Sequence, residues 1–188
     1  MRLFALEHTR VAYLADFVFY GLAIPALAII AVAIGPRERL PELAGLALLG
    51  LAGWTLIEYV IHRFLLHGIP PFSRWHAEHH DRPAALISSP TYFTALLFST
   101  LVFLPTEYLG DLSRACALTS GVLAGFLAFS ITHHAVHHWR ASGAWLDARK
   151  RLHALHHHKE TGGPYGVTTA FWDIVFGSIR RRAQMPRA

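Results

Sequence analysis

The chain has 188 residues, of which 53% are hydrophobic and only 15% are charged. An average soluble domain carries roughly 25% charged residues, so the composition argues against a soluble globule and for an integral membrane protein. The net charge of +5 does not indicate a nucleic-acid partner, because the basic residues lie beside histidines and long apolar runs without interleaved aromatic residues. The single cysteine, Cys116, lies in an apolar run, which excludes a disulfide framework and thiolate metal sites.

The first half of the chain contains two apolar runs. Residues 17–34 are uncharged, and at about 1.5 Å per helical residue they can cross most of a hydrocarbon core of roughly 30 Å. A Gly-Pro break over residues 35–41 separates them from a second predicted span over residues 42–60, whose small residues permit close helix packing. We expect no cleavable signal peptide, because charged residues precede the first run and no clear cleavage site follows it.

The second half contains a predicted hairpin. The apolar run 92–104 is short for a full span, residues 105–111 are expected to form a turn, and residues 115–131 are long enough to cross. The sequence therefore predicts one domain over residues 1–188. Its fold class is all-α: a membrane bundle of about four spanning or hairpin helices with a histidine-rich helical cap.

The hairpin brings all the histidine motifs to one side of the membrane. The basic residues expected on that side are Arg63, Arg74, Arg82, Arg140, Arg149, Lys150, Arg151, Lys159 and Arg180 to Arg182. By the positive-inside tendency, the histidine motifs and the C-terminus are expected to be cytoplasmic, in a bacterial inner membrane. Arg37 and Arg39 on the other side oppose this orientation, and the basic tail 180–188 is expected to touch anionic lipid.

Four short motifs contain most of the histidines, and a lone histidine such as His8 is expected to be only an interfacial polar residue. The motifs are His62 and His67; His76, His79 and His80; His133 and His137, or alternatively His134 and His138; and His153, His156 and His157. Histidines three or four residues apart share one helix face and can reach one metal ion at about 2.0–2.2 Å. His62 and His67 are five apart, which places them about 140° from each other on an α-helix and predicts that they bind different ions.

The number of histidines predicts two metal ions. Ten imidazoles exceed the three or four that a mononuclear site needs, and they suit two ions with about five ligands each. Polar imidazoles at the ends of apolar helices are costly unless something binds or solvates them, which argues against accidental clustering. Imidazole alone does not distinguish iron, copper, nickel and zinc.

These motifs, together with Glu58 ahead of the first and the 166–173 segment GVTTAFWD after the last, resemble the integral-membrane fatty acid hydroxylase and sterol desaturase superfamily. The likeness covers residues 58–176 and is greatest to the fatty acid 2-hydroxylase branch. It implies a di-metal centre, normally di-iron although zinc can occupy it in a purified sample, that uses O2 to insert oxygen into a lipid C–H bond. The implied ligands are His62, His67, His76, His79, His80, His133, His137, His153, His156 and His157, with Thr132-His133 giving the better register in the third motif.

Several other polar residues are candidates for supporting roles. Glu58, Glu78 and Asp173 are expected either to accept the free N–H of a ligand imidazole or to form ordinary salt bridges and helix-end charges. His134, His138 and His158 are candidates for fixing the tautomer of a ligand or relaying protons.

The resemblance also implies partners. The chain leaves no room for a fused cytochrome-like donor domain, so electrons are expected from a separate reductase, ferredoxin or cytochrome. The aromatic candidates for an acyl-chain site, each with core or lipid-facing packing as the alternative, are Trp54, Tyr59, Phe64, Tyr92, Phe93, Phe126 and Phe129. Candidates for attracting a carboxylate or phosphate head group, or simply for a solvated basic face, are Arg74, Arg82, Lys150 and Arg151.

Two other functions fit the same motifs. A carotenoid or sterol hydroxylase or desaturase shares the scaffold, and product mass would separate an added oxygen from the loss of two hydrogens. A non-catalytic membrane metal-binding protein would contain metal without consuming O2. Because all of these share a helical architecture, fold alone does not choose among them.

Overall fold

The computed structural model describes residues 6–158 and 163–179, and within these ranges the chain is all-α, as predicted. The helices are α1 Arg10–Ile34, α2 Leu40–Val60, α3 Phe72–Asp81, α4 Thr91–Phe98, α5 Leu104–Leu109, α6 Leu112–His138, α7 Ala144–His158 and α8 Phe171–Val175. A 3₁₀ turn, Arg37–Arg39, precedes α2, while π-helical segments continue α2 over Ile61–Leu66 and join α4 to α5 over Ser99–Phe103. Lys159 and the basic tail 180–188 lie outside the described residues.

Four helical stretches are long and apolar enough to cross a membrane. They are Arg10–Ile34, Arg37–Leu66, Thr91–Leu109 and Leu112–His138. The third is longer than predicted, and the expected turn over residues 105–111 is wrong for most of its length. Pro105 lies within this continuous helical stretch, directly after the π-helical segment, and the reversal falls at Gly110 and Asp111.

Helix α6 is the centre of the bundle and packs against both α1 and α2. A Cβ added at Gly121 would overlap the backbone carbonyl of Ala47, and one at Gly50 would overlap the carbonyl of Leu118. Helices α2 and α6 therefore touch backbone to backbone, which only small residues permit. Gly53 differs, because a Cβ there meets nothing within 4 Å.

Charged groups join the starts of α2 and α6 at one end of the bundle. Asp111 caps α6 by accepting from the Arg114 backbone N–H at 3.0 Å and also pairs with Arg39 at 2.9 Å. Arg114 in turn pairs with Glu42 at 2.6 Å. Since α2 and α6 both run away from this end, their histidines meet at the opposite end.

The N-terminal segment is fastened to the irregular stretch that precedes α4. Glu7 forms an isolated antiparallel bridge with Ile87, and the His8 ring donates from Nε2 to the Ser88 carbonyl at 3.0 Å. This pairing lies at the histidine end, where it helps to enclose the site described next.

Candidate metal centre

The histidines form two adjacent clusters. The outer cluster consists of His62, His67, His76, His80 and His156, and the inner cluster consists of His79, His133, His137 and His153. Within each cluster the nitrogens that could bind an ion all lie within 4.8 Å of one another. Residues up to 94 positions apart in the chain are thus gathered by the π-helical segment after α2 and by α3, α6 and α7.

The nitrogen spacings are those of ligands that surround an ion. Nε2 of His76 lies 3.0 Å from Nε2 of His62 and 3.0 Å from Nε2 of His80, and the Nε2 atoms of His153 and His137 are 2.7 Å apart. Imidazole nitrogens bound at 2.0–2.1 Å and at about right angles around one ion lie roughly 3 Å apart. The residues therefore fit a metal ion in each cluster.

The π-helical segment Ile61–Leu66 corrects the prediction that His62 and His67 bind different ions. Both belong to the outer cluster, with ring centroids 5.2 Å apart. A π-helix bonds residue i to residue i+5, so side chains five apart lie on one face, whereas on an α-helix they would diverge. The prediction failed because it assumed the α-helical period for a segment that is π-helical.

The third and fourth motifs are placed by α6 and α7. His133 and His137 enter the inner cluster, whereas His134 stacks on His138, with ring centroids 4.5 Å apart, on the side facing Tyr13. His157 borders both clusters, with Nε2 3.0 Å from Nε2 of His153 and its ring stacked on His80 at a centroid distance of 4.2 Å. Nine of the ten histidines predicted as ligands thus form the two clusters, and the tenth, His157, lies beside them. His134 and His138 also lie in neither cluster.

The charge state of these imidazoles suits metal binding. Burial, followed by the neighbouring histidines, lowers the pKa of His79 to about 2, and burial is also the main cause that lowers the pKa of His80 and of His157 to about 4. These rings are therefore neutral at neutral pH and keep a lone pair for a ligand bond. Neither ring nitrogen of buried His79 has a hydrogen-bond partner, which a bound ion would provide.

Asp173 fixes the orientation of His62 through a loop rather than by direct contact. The fully buried carboxylate accepts from the backbone N–H groups of Tyr165 at 2.7 Å and Gly166 at 2.9 Å, and from the Ser178 hydroxyl at 2.5 Å. The Tyr165 carbonyl then accepts from Nδ1 of His62 at 2.6 Å. Holding the proton on Nδ1 leaves Nε2 free to bind an ion.

Glu58 supports the same loop. Its buried carboxylate accepts from the backbone N–H groups of Val167 at 2.6 Å and Thr168 at 3.0 Å, and from the Thr168 hydroxyl at 2.6 Å. The expectation that Glu58 and Asp173 accept directly from ligand imidazoles therefore needs correction. Their recorded partners are backbone and hydroxyl groups, because the loop after α7 folds back between the carboxylates and the clusters.

The remaining candidates for supporting roles lie nearer the surface. Glu78 pairs with Arg82 at 2.6 Å, which is the ordinary salt bridge that the sequence left open. His158 borders a surface cleft beside His67 and His80. The Tyr165 carbonyl was missed by sequence reasoning, because a backbone group carries no side-chain signal.

A cavity of about 190 Å³ lies against both clusters. His62 and His76 of the outer cluster and His79 and His133 of the inner cluster form part of its wall. Most of the remaining wall is apolar, and the side chains concerned are Leu6, Phe17, Leu66, Phe72, Trp75, Ile87, Phe126, Phe129 and Val167. The cavity thus offers an apolar chain direct access to the histidines.

Two of the seven aromatic candidates, Phe126 and Phe129, line this cavity. Trp54 packs behind them in the core, Tyr59 stacks on Phe176, and Phe64 is exposed. Among the described residues that line the cavity there is no Lys or Arg. Arg82 is instead paired with Glu7 and Glu78, and Lys150 donates to the carbonyls of Trp139 and Ala141.

A four-span bundle that collects histidines from four segments into two buried clusters defines an integral membrane protein of the histidine-motif, metal-binding class. Comparison with known families narrows this class. The family model described as fatty acid hydroxylase matches residues 47–178 of this chain. The chain therefore belongs to the fatty acid hydroxylase family, as its motifs predicted.

Individual relatives agree with the family assignment. The chain is 35% identical over 149 residues to the ceramide very long chain fatty acid hydroxylase scs7 of Schizosaccharomyces pombe, a match covering 70% of this chain and 41% of the relative. It is 32% identical over 150 residues to the dihydroceramide fatty acyl 2-hydroxylase FAH2 of Arabidopsis thaliana, covering 74% of this chain and 62% of the relative. The chain therefore spans about two fifths to three fifths of the length of these relatives.

A solved structure shares the fold. The structure titled full-length scs7p, in which only the hydroxylase domain is visible, matches with a TM-score of 0.75 and 26% sequence identity. The match covers 89% of this chain and 66% of that one.

Proposed function

We propose that the protein is a membrane-bound non-haem di-metal oxygenase, with iron as the metal, that uses O2 to hydroxylate a C–H bond of a fatty-acyl lipid. The relatives named as fatty acyl 2-hydroxylases favour carbon 2 as the position attacked. The proposed ligands are His62, His67, His76, His80 and His156 for one ion, and His79, His133, His137, His153 and His157 for the other.

The observation that supports this proposal most strongly is that the clustered histidines form part of the cavity wall. Histidines of both clusters border one apolar cavity. A saturated acyl chain held there has a C–H bond next to both proposed metal positions. A membrane protein that only stored metal would have no use for an apolar cavity at that place.

The chain itself supplies position and shielding. When bound, the metal pair supplies the activation of O2 and the oxidation of the C–H bond. Phe126 and Phe129 hold the acyl chain beside the histidines, and the Tyr165 carbonyl keeps His62 in the tautomer that presents Nε2. Asp173 and Glu58 keep the loop carrying that carbonyl in place.

We extend the proposal to topology, partners and domain limits. The clusters and the C-terminus face the cytoplasm of a bacterial inner membrane, since basic residues concentrate at the histidine end. A separate ferredoxin, cytochrome or reductase delivers the electrons, and the polar cleft lined by His67, His80 and Asp81 is the solvent-side approach to the outer cluster. Residues 1–188 act as one domain, since α6 provides a common core for the described spans.

The test is a comparison of lipid extracts by mass spectrometry from cells that express the intact protein, the His79→Ala variant or neither. The intact protein should add one oxygen to acyl chains, and His79→Ala should abolish the addition while leaving the protein in the membrane. Fragmentation of the product then locates the hydroxylated carbon.

Other results would contradict the proposal in distinct ways. Loss of two hydrogens would indicate a desaturase, and an oxygen added only to a sterol or carotenoid would change the substrate class. Equal products from the intact protein and His79→Ala would show that the reaction does not require the proposed metal centre. The matched control is His134→Ala, because His134 lies outside both clusters.

A further inference from the structure

The cavity beside the clusters ends at a wall of aromatic side chains. Helix α1 contributes Tyr13, Asp16 and Phe17 to the lining of the cavity. Tyr20 is the next residue on that face of α1, because residues three or four apart share one helix face, but it is not among the described residues that line the cavity. Tyr20 is only 1% exposed, and its ring packs on the lining residue Phe126 at a centroid distance of 4.9 Å. Tyr20 therefore lies directly behind the cavity wall.

The position of Phe126 shows which end of the cavity Tyr20 closes. On α6 the lining extends from His133 of the inner cluster to Phe126, seven residues earlier in the chain. Seven helical residues correspond to about 10 Å. A saturated chain of an ordinary membrane lipid spans about half of a hydrocarbon core roughly 30 Å thick, so it is longer than this depth. A long chain that lies against the histidines would therefore reach Tyr20.

A hydrogen bond holds the Tyr20 ring in place. The hydroxyl of Thr94, which also lines the cavity, donates to the Thr91 carbonyl at 3.1 Å. The Thr94 oxygen is therefore the acceptor in its 2.6 Å hydrogen bond with the Tyr20 hydroxyl. The Tyr20 ring also meets the Phe98 ring edge to face, with centroids 6.1 Å apart. Tyr20 is thus fastened to α4 as well as packed on α6.

Helices α1 and α4 are joined at this level by side chains rather than by close backbone packing. Helix α1 packs closely against α6, whereas its backbone makes at most isolated approaches to that of α4. A side chain can change rotamer while its helix stays in place. Displacement of the Tyr20 ring would therefore extend the cavity between α1 and α4 without separating α1 from α6.

We propose that Tyr20 is a specificity-determining residue that selects acyl chains by their length. A short chain fits between the histidines and the intact wall. A longer chain binds only when the Tyr20 ring moves aside and its hydrogen bond to Thr94 breaks. The inference rests on the proposed function, in that the cavity is taken as the acyl-chain site.

The test compares the binding of methyl octanoate and methyl hexadecanoate, which share a neutral head group and differ only in chain length. The purified full chain is immobilised in detergent and exposed to an equimolar mixture, and the retained esters are quantified by mass spectrometry. Each variant is compared with the wild-type protein in the same detergent, so that the partition of the esters into micelles cancels.

Two substitutions separate the hydroxyl of Tyr20 from its ring. Tyr20→Phe removes the hydrogen bond and keeps the ring, and Thr94 retains its own bond to the Thr91 carbonyl. Tyr20→Ala removes the ring as well. The matched controls are Tyr108→Phe on α5 and Leu22→Ala on α1, because both of these side chains are exposed and neither lines the cavity.

Tyr20→Phe should raise the ratio of hexadecanoate ester to octanoate ester about fivefold over the wild-type protein, as expected for the loss of one neutral hydrogen bond. Tyr20→Ala should raise the ratio at least about tenfold, because the longer chain then has room without displacing a ring. Both controls should keep the wild-type ratio. Circular dichroism verifies folding, and Tyr20→Phe tests the inference by itself if Tyr20→Ala does not fold.

An unchanged ratio in the Tyr20 variants overturns the inference, and so does a wild-type protein that retains neither ester. Oxygen incorporation, measured on the same samples with reductant and O2, separates this inference from the proposed function. A raised ratio without oxygen incorporation by any of the proteins would contradict the function and support the role of Tyr20. Oxygen incorporation with an unchanged ratio would do the reverse.

Discussion

The outer and inner clusters differ in how the fold builds them. Two members of the outer cluster, the exposed His67 and His80, border a polar cleft of about 290 Å³. Its His62 depends on the loop at Tyr165, more than 100 residues away. The inner cluster has no exposed member, and two of its four histidines lie on the central helix α6.

Different structural features therefore position the histidines of the two clusters. The inner cluster depends on helices alone, because its histidines lie on α3, α6 and α7. The outer cluster depends on a π-helical turn and on two buried carboxylates that hold a distant loop. Mutations should therefore be able to damage one cluster and spare the other.

The largest effect is expected from removing one ligand of either cluster. His153→Ala should release the inner ion and His156→Ala the outer ion, since the two histidines lie on α7 but belong to different clusters. Each variant should retain about one metal ion per chain instead of two and lose at least about 100-fold in hydroxylation rate. Metal analysis of purified protein measures the ratio, and a variant that keeps both ions would contradict the assignment of that histidine.

A smaller and one-sided effect is expected from Asp173→Asn. The substitution replaces one carboxylate oxygen with an NH2 group, which cannot accept from the backbone N–H of Tyr165 or Gly166. The Tyr165 loop should therefore shift, and His62 should lose its orientation. Metal affinity of the outer cluster should fall about 10- to 100-fold while the inner cluster keeps its ion. Competition with a chelator measures both affinities.

The control for this prediction is Asp147→Asn, because Asp147 accepts a backbone N–H at the exposed start of α7. It should change neither affinity. Equal weakening of both clusters by Asp173→Asn would show that the loop supports the whole site rather than His62.

A change in helix packing should lower the stability of the whole bundle. Gly121→Ala places a methyl group against the Ala47 carbonyl, so α2 and α6 must separate, at a cost of about 1–3 kcal/mol in the free energy of unfolding. Gly53→Ala on α2 is the matched control, because open space surrounds the added methyl group. Thermal unfolding in detergent should show a lower midpoint for the first variant and an unchanged or slightly higher one for the second.

The smallest effect is expected at His134. His134→Ala should keep both metal ions and change the hydroxylation rate by less than about tenfold, whereas His133→Ala, one residue earlier, should lose the inner ion. A loss of metal in His134→Ala comparable to that in His133→Ala would show that the sequence register of the third motif was assigned wrongly.

Much of the architecture was predictable from the sequence. The apolar runs predicted the spans, and the i, i+4 spacing predicted that His76 and His80 share one cluster and that His133 and His137 share the other, because these features depend on the local helical period. The i, i+3 spacing was misleading, since His79 is in a different cluster from His76 and His153 is in a different cluster from His156. The register of the third motif was open at the level of spacing, since His133 with His137 and His134 with His138 are equivalent there. The structure resolves it through the side of α6 that faces α1, where Tyr13 contacts His134.

The features that the sequence did not predict depend on distant contacts or on departures from regular geometry. The partners of Glu58 and Asp173 are backbone groups of a loop that folds back, and Glu58 meets that loop 109 residues along the chain. The cavity position of Asp16 was missed too, although a carboxylate just ahead of an uncharged run was a usable signal. Pattern reasoning finds side chains that share an element, and it does not find these contacts.

The π-helical turn at Ile61–Leu66 changes what an insertion or deletion would do there. Elsewhere in α2 or α6, removing one residue would rotate every later side chain by about 100° relative to the earlier ones. Between His62 and His67 the same removal would convert the wide turn into an ordinary α-helical one and leave the two imidazoles four residues apart on one face. The spacing of His62 and His67 and the spacing of His133 and His137 are therefore two sequence solutions to one geometric requirement.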